Sequence, residues 1–424
     1  MTRSVTTGPV TARAVQLLAV LLVSVCSVNP VAATVTCVED FDRGVTSEAA
    51  GARPGTPLSA ALSQKLDDAV LAALPLAATP GIIVGVQTPD GTWKKGYGVA
   101  DPATGTPMEP GMHTRIGSVT KTFTGTMLLQ LAEAGRLSLD DTIDAYVEGI
   151  PNGDRITLRQ LADMTSGVAS YTASERFVEL FLDQPGVAFS PEDLLTFSVE
   201  NSPLFEPGTQ YDYSNTNTIL LGMVIEKTTG QPFETSLRKM ILEPLGLEKT
   251  VWPGSRTELP EPYAQGVTLQ GVDATPAAPL VATHWNPASL WTAGELISNL
   301  DDLLVYGRAL GAGQGLLGTE MQQARLRSFR PPDGYGLALR CNGEWVGHTG
   351  EVPGYTTVVF HSPQTDTTLV VQANSDMPSG DCEEAKEAQD ADEASGLSCS
   401  LPAMRIFNAV APLLGETAPQ NTAE

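Results

Sequence analysis

Residues 118–121 read Ser118-Val119-Thr120-Lys121, directly after Gly117. On a helix, side chains three apart share a face, so the Ser118 hydroxyl and the Lys121 amine can meet. A hydroxyl is a weak nucleophile until a neighbouring base takes its proton. An amine serves as that base only where burial or a positive field lowers its pKa. The start of a helix adds backbone N–H donors and a positive dipole end, both suited to a developing oxyanion. The chemistry implied is acyl transfer through a serine nucleophile. Spacing alone is weak, because a second copy, Ser236-Leu237-Arg238-Lys239, reads as an ordinary helical segment. Company separates the two: Tyr213-Ser214-Asn215 is the one Y-x-N in the chain, and His348-Thr349-Gly350 the one His/Lys-Thr-Gly, both after Ser118.

These motifs need elements to hold them. Residues 118–134 read as a helix with Phe123, Met127, Leu128 and Leu131 inward, stopped by Gly135. The Tyr213 motif lies on a loop entering a helix over 216–230. The His348 motif ends a strand within an antiparallel meander at 336–341, 345–349, 356–361 and 367–373, with turns at Asn342-Gly343 and 364–366. Towards the start, a helix is expected over 57–74, then strands at 81–88 and 92–99 joined by Pro89-Asp90-Gly91. A reversal at 286–294 precedes an amphipathic stretch over 295–310, and 402–414 reads as a closing helix. Strands, helices, strands imply an α/β (α+β) fold. Its antiparallel sheet is built from both chain ends (58–117 and 285–415) and flanked by helices, with an all-helical lobe (118–284) inserted between them. The junction of the two lobes leaves a cleft.

The chain has 424 residues, 25 Lys+Arg against 49 Asp+Glu, a net charge of −24 and 42% apolar residues. That apolar share excludes a disordered chain. The length exceeds the roughly 250–300 residues that one core serves, which agrees with two lobes. No basic stripe exists for phosphates, which argues against nucleic acid as a partner.

Arg3 and Arg13, an apolar run over 14–28 and Val31-Ala32-Ala33 form the pattern of a signal peptide, residues 1–33, cleaved near Ala33. Gln16, Ser24 and Ser27 interrupt that run, which falls short of the ~20 apolar residues of a stable membrane span. Val25 before Cys26 disfavours a lipoprotein. Residues 34–57 read as a tether. Cleavage leaves Cys37, Cys341, Cys382 and Cys399, and four cysteines in a secreted chain suggest two disulfides. The pairing expected is Cys382 with Cys399, closing an acidic insert at 381–399, and Cys37 with Cys341, tying the tether to a hairpin. Cys341 is expected at the sheet edge opposite the one where 374–382 emerges. No C-x-x-C occurs, and His113, His284, His348 and His361 lack ligand spacing, so no metal is expected.

Taken together, the three motifs resemble the serine penicillin-recognising hydrolases. The likeness is to the branch holding D-alanyl-D-alanine carboxypeptidases, class C β-lactamases and β-lactamase-like esterases. Similar stretches include Ile156-Thr157-Leu158-Arg159-Gln160-Leu161 leading to Thr165-Ser166-Gly167, and Glu206-Pro207-Gly208 before Tyr213. Residues 218–222, Pro244-Leu245-Gly246 and Gly334-Tyr335-Gly336-Leu337 also fit, so the likeness covers 58–415. The His-Thr-Gly form is most similar to the exocellular DD-carboxypeptidase type.

The resemblance implies a β-lactamase/transpeptidase-like fold that needs no cofactor. It makes Ser118 the acylated nucleophile, Lys121 a participant in its deprotonation and Tyr213 the proton shuttle to the leaving group. Asn215 would bond the substrate amide, while His348, Thr349 and Gly350 line the sheet edge, with His348 and Thr349 helping to bind a substrate carboxylate. The N–H groups of Ser118 and Glu351 would form the oxyanion hole. Glu351 departs from the pattern. A side chain turned into the site would repel anionic peptides and penicillins and favour neutral esters, whereas one turned outward would leave only its N–H at work.

No Ser lies in G-x-S-x-G, and the S-D-N and K-T-G of class A β-lactamases are absent. The expected function is therefore an exported serine hydrolase acting through an acyl-enzyme, with D-alanyl-D-alanine carboxypeptidase leading. A class C-like β-lactamase follows, differing mainly in how fast water attacks the acyl-enzyme, and a small-ester esterase comes third. From another class, an idle envelope binding module would keep the cleft without turnover. The intact Ser118, Lys121 and Tyr213 argue against it.

Overall fold

Apolar, β-rich runs from both ends of the chain meet in one sheet. The structure, a computed structural model, describes residues 37, 45, 55–271, 274–275, 277–331, 333–382 and 397–415. The expected signal peptide, most of the tether and residues 383–396 of the acidic insert lie outside the described residues. The N-terminal part supplies β1 (Gly81–Thr88), β2 (Gly91–Asp101) and β3 (Thr106–Pro107). The C-terminal part supplies β4 (Tyr335–Gly336), β5 (Leu339–Asn342), β6 (Trp345–Val352), β7 (Tyr355–Ser362) and β8 (Thr367–Ala373). Their order is β3-β2-β1-β8-β7-β6-β5-β4. Every pairing is antiparallel. The two halves join where β1 pairs with β8, from Ile82 opposite Ala373 to Gln87 opposite Thr368. Both strands are covered on both faces, so neither alternates apolar with polar residues.

The helices that build the site and its frame are α1 (Ala60–Ala73), α2 (Thr120–Glu133), α3 (Asn215–Thr229), α4 (Leu300–Ala312) and α5 (Pro402–Val410). On the outer face, Leu66 and Val70 of α1 and Ile406 and Phe407 of α5 pack against Val84, Val86, Phe360 and Val371. On the inner face, Leu300, Leu303 and Leu304 of α4 meet Ile83, Val359 and Val370. That cluster runs on through Phe123, Met127 and Leu128 of α2 to Leu220, Leu221 and Val224 of α3, so one core joins the sheet to the helical lobe.

Three local differences from the sequence expectation have physical causes. The strand expected over 336–341 is the hairpin of β4 and β5, because the chain turns at Leu337-Ala338. Ala338 there has φ +50°, and Gly125 of α2 lacks the Cβ that would strike its methyl group. The amphipathic stretch from Glu295 becomes helical only at Leu300. Ile297 and Ser298 pair instead with Arg115 and Thr114, and Asn299 caps α4 by accepting from the Asp302 N–H. Among the described residues of 118–284, helices and loops are joined by a short ladder of Val267–Thr268 with Leu280–Val281. This ladder docks on the sheet end, with Val267 bridged to Ser375 and Thr268 Oγ1 donating to Asp376 at 2.8 Å.

Cys37 is bonded to Cys341, and Cys382 to Cys399. Among the described residues, no helix is long and apolar enough to cross a membrane. None of their His, Cys, Asp and Glu side chains form a group of three that could hold a metal.

Candidate active site

Gly117–Val119 forms a single 3-10 turn that runs straight into α2. Its nearest strand is β6, which pairs with β5 only over residues 345–347 on that side. The edge beyond stays available to the turn, and two glycines let backbone meet backbone there. Gly117 has φ +52°, and a Cβ on it would stand 2.7 Å from the Glu351 nitrogen. On Gly350, a Cβ would stand 1.9 Å from the Ile116 carbonyl oxygen and 3.2 Å from the Ser118 nitrogen. The backbone around Ser118 thereby lies against the backbone around Glu351.

Lys121 is the second residue of α2, one turn beyond Ser118, and is fully buried. Its Nζ is 2.8 Å from Ser118 Oγ and donates at 2.8 Å to the Ala293 carbonyl. Burial pushes this amine well below the ordinary lysine range. A neutral amine that gives one N–H to Ala293 keeps its lone pair for the Ser118 hydroxyl. The turn bearing Ala293 is clamped on both sides: Thr124 Oγ1 donates to the Thr292 carbonyl at 3.0 Å, and Thr292 Oγ1 to the Thr218 carbonyl at 2.8 Å.

The Tyr213 ring stands over the Lys121 amine, 5.1 Å from Nζ to centroid. Burial raises its pKa above the ordinary phenol value, opposed by the nearby Ser118 hydroxyl and by Arg340. Tyr213 is therefore a neutral phenol at rest, able to donate. Asn215 opens α3, with Nδ2 donating to Thr172 Oγ1 at 3.0 Å and its backbone N–H to Ser170 Oγ at 3.1 Å. These bonds stitch the Tyr213 loop to residues 170–172.

His348 differs from the sequence expectation. It is buried rather than presented at the edge. Nδ1 must donate, because its partner is the Thr349 carbonyl, and Nε2 then accepts from Tyr335 Oη at 3.2 Å. Burial pushes its pKa well below the usual imidazole range, and Arg340 and Lys121 push it further. A neutral imidazole offers no charge to a carboxylate. Thr349, half-buried, and Glu351, exposed, share the other side of β6. The Glu351 carboxylate is close enough to raise the Tyr213 phenol.

Sequence reasoning missed Arg340. Register places it opposite Gly347, its guanidinium 5.9 Å over the Tyr335 ring, and its charge acts on Tyr211, Tyr213 and His348. It also missed the Ala293 carbonyl, which no side-chain pattern can announce, and the close approach that Gly117 permits.

A family model described as Beta-lactamase matches residues 68–393. Penicillin-binding protein 4* of Bacillus subtilis (strain 168) is 25% identical over 310 residues, covering 69% of this chain and 68% of the relative. A D-stereospecific amidohydrolase from Streptomyces sp. is 31% identical, with a TM-score of 0.66 over 80% of this chain and 100% of the other. D-amino acid amidase from Ochrobactrum anthropi SV3, complexed with L-phenylalanine, is 25% identical, with a TM-score of 0.65 over 83% of this chain and 98% of the other. The chain spans about two thirds, 66% and 68%, of the length of the two curated Bacillus relatives that it matches. On a match of that breadth, over a fold with the same antiparallel sheet and helices, the chain belongs to the Beta-lactamase family of serine hydrolases.

Proposed function

We propose that the protein is an exported serine amidohydrolase of the D-alanyl-D-alanine carboxypeptidase type. The observation that carries the reading is the buried Lys121 amine, 2.8 Å from Ser118 Oγ and held from behind by the Ala293 carbonyl. Lys121 takes the Ser118 proton as Oγ attacks the substrate carbonyl. The N–H groups of Ser118 and Glu351 receive the oxyanion. Tyr213 gives its phenolic proton to the leaving nitrogen and is reprotonated from the Lys121 ammonium. Water then attacks the acyl-enzyme along the same path in reverse. Asn215 bonds the acyl-side amide. At the far end of the β6 edge, Thr349 and Arg340 take a leaving-group carboxylate, the role that neutral His348 leaves to them. Two disulfides support an oxidising, extracytoplasmic setting.

A second reading, hydrolysis of D-amino acid amides, is favoured by the exposed Glu351 carboxylate beside the oxyanion position and by the two amide-hydrolase structures. An acid there suits an α-ammonium better than an acylated amine. The test sets D-alanyl-D-alanine bearing an N-acyl group against D-alanine amide, with Ser118→Ala as the blank. Carboxypeptidase action requires preference for the peptide, lost about 10–100-fold in Arg340→Ala. Preference for the free-amine amide, lost in Glu351→Thr, would move the assignment to the amidase. Turnover of neither overturns both.

A further inference from the structure

The turn between β4 and β5 is held at all of its backbone polar groups from outside the hairpin. The Leu337 N–H donates to Ser328 Oγ at 2.8 Å, and the Ala338 N–H to the Ala162 carbonyl at 2.9 Å. Both carbonyls accept from one guanidinium. Arg325 Nε donates to Leu337 at 3.1 Å, and Arg325 Nη2 to Ala338 at 3.2 Å. The third arm, Nη1, donates to Thr126 Oγ1 of α2 at 2.9 Å, and that hydroxyl donates to the Thr122 carbonyl at 2.7 Å. Ala338 also lies so close to Gly125 of α2 that a Cβ there would stand 2.1 Å from its methyl group.

Arg325 comes from the helix Thr319–Leu326 and is 0% exposed. Burial lowers its pKa to about 10, which leaves it a cation at neutral pH. A buried cation is costly unless hydrogen bonds replace its water, so its acceptors are tied to the geometry of the planar fork. The residues on either side of the turn belong to the site. Two before Leu337, Tyr335 Oη donates to His348 Nε2 at 3.2 Å. Two after Ala338, Arg340 stands opposite Gly347, over the Tyr335 ring. Across the fork, α2 opens two residues after Ser118 and carries Lys121. Thr122 Oγ1 of α2 also donates to the Val119 carbonyl in the Ser118 turn, at 2.7 Å. One guanidinium thus spans the reacting side of the site and the hairpin that faces it.

We propose that Arg325 is a positioning residue for substrate selection: its three-armed fork fixes the β4–β5 turn against α2, and so places Arg340 to meet the leaving-group carboxylate of a substrate attacked by Ser118. The inference rests on the reading of Arg340 as the partner of that carboxylate. Arg325→Lys keeps the charge and loses the fork, since one ammonium cannot hold the three acceptors in the same geometry. Two reporters separate selection from chemistry. One is an N-acyl-D-alanyl-D-alanine, which ends in a carboxylate, and the other is p-nitrophenyl acetate, a neutral ester without one. A fluorophosphonate label counts competent sites. Per labelled site, KM for the peptide should rise about 10-fold, with kcat and KM for the ester within about twofold. In the Arg340→Ala background, Arg325→Lys should change the peptide by less than about twofold, because the group it positions is gone.

Peptide and ester turnover that fall in equal proportion per site overturn the proposal. So does a smaller labelled fraction with peptide KM unchanged, or full additivity with Arg340→Ala. Should Arg325→Lys fail to fold, Thr126→Val decides, since it keeps the shape of the side chain and removes the acceptor on α2. Peptide KM should then rise with the ester unaffected, and an unchanged peptide KM overturns the proposal. Wild-type protein that hydrolyses the ester and not the peptide, or Arg340→Ala without effect on the peptide, removes the carboxylate reading itself, and the role of Arg325 with it.

Discussion

On the outer face of the sheet, α1 and α5 present Leu66, Val70, Ile406 and Phe407 to other apolar side chains. The inner face near α2 has its own apolar core, and beside it buries Lys121, Thr122, Thr126, Arg325 and Gln372. Each of these has a named partner. Thr122 Oγ1 lies 2.8 Å from Tyr306 Oη, Arg325 bonds Thr126 Oγ1 and the Leu337 and Ala338 carbonyls, and Gln372 Nε2 donates to Thr114 Oγ1 at 2.7 Å. Apolar contacts are non-directional and tolerate repacking at constant volume. Buried polar networks do not, since each lost partner leaves a desolvated group behind. The outer face thus supplies stability alone, whereas the inner face supplies both stability and position.

The difference can be broken at graded cost. Ser118→Ala should abolish acylation seen by intact mass and lower turnover by at least about 10⁴-fold, with Tm nearly unchanged. Gly350→Ala should push the turn away from β6 and lower kcat about 10²–10³-fold, read as a loss of kcat per folded molecule. Leu66→Ala on the outer face should do the reverse, costing about 2–4 kcal/mol in denaturant unfolding while kcat stays as it was.

Asp376, at the sheet end, sharpens the contrast through pH. Burial raises its carboxyl to about 6 from 3.8, against hydrogen bonds from Thr268 and Gln270. A folded-state pKa above the unfolded one makes its contribution greatest below about 3.8 and lost as pH rises through about 6. Asp376→Asn should flatten the fall in Tm over that window. An unchanged slope would count against the assignment.

Much of the frame was legible because it rests on local periodicity. The helices beginning near Ser118 and Asn215 and the strands flanking Pro89-Asp90-Gly91 lie within a few residues of their expected bounds. The three motifs told which residues to bring together. What stayed hidden depended on register and backbone. Whether His348 faces inward is a question of strand parity, set by the pairing of β6 with β5 and β7. Arg340 reaches the site only because it stands opposite Gly347.

The pairing of β1 with β8 also sets a schedule. A ribosome delivers Ile82, Ile83 and Val84 early, yet their partners on β8 arrive only with Val371 to Ala373, after the whole helical lobe has been made. Until then β2 is the only neighbour β1 can have, and its other edge is a long apolar template open to any passing strand. Chains cut just before Thr367 should accordingly accumulate as aggregates, even though the helical lobe, with Ser118, Lys121 and Tyr213, has already been synthesised.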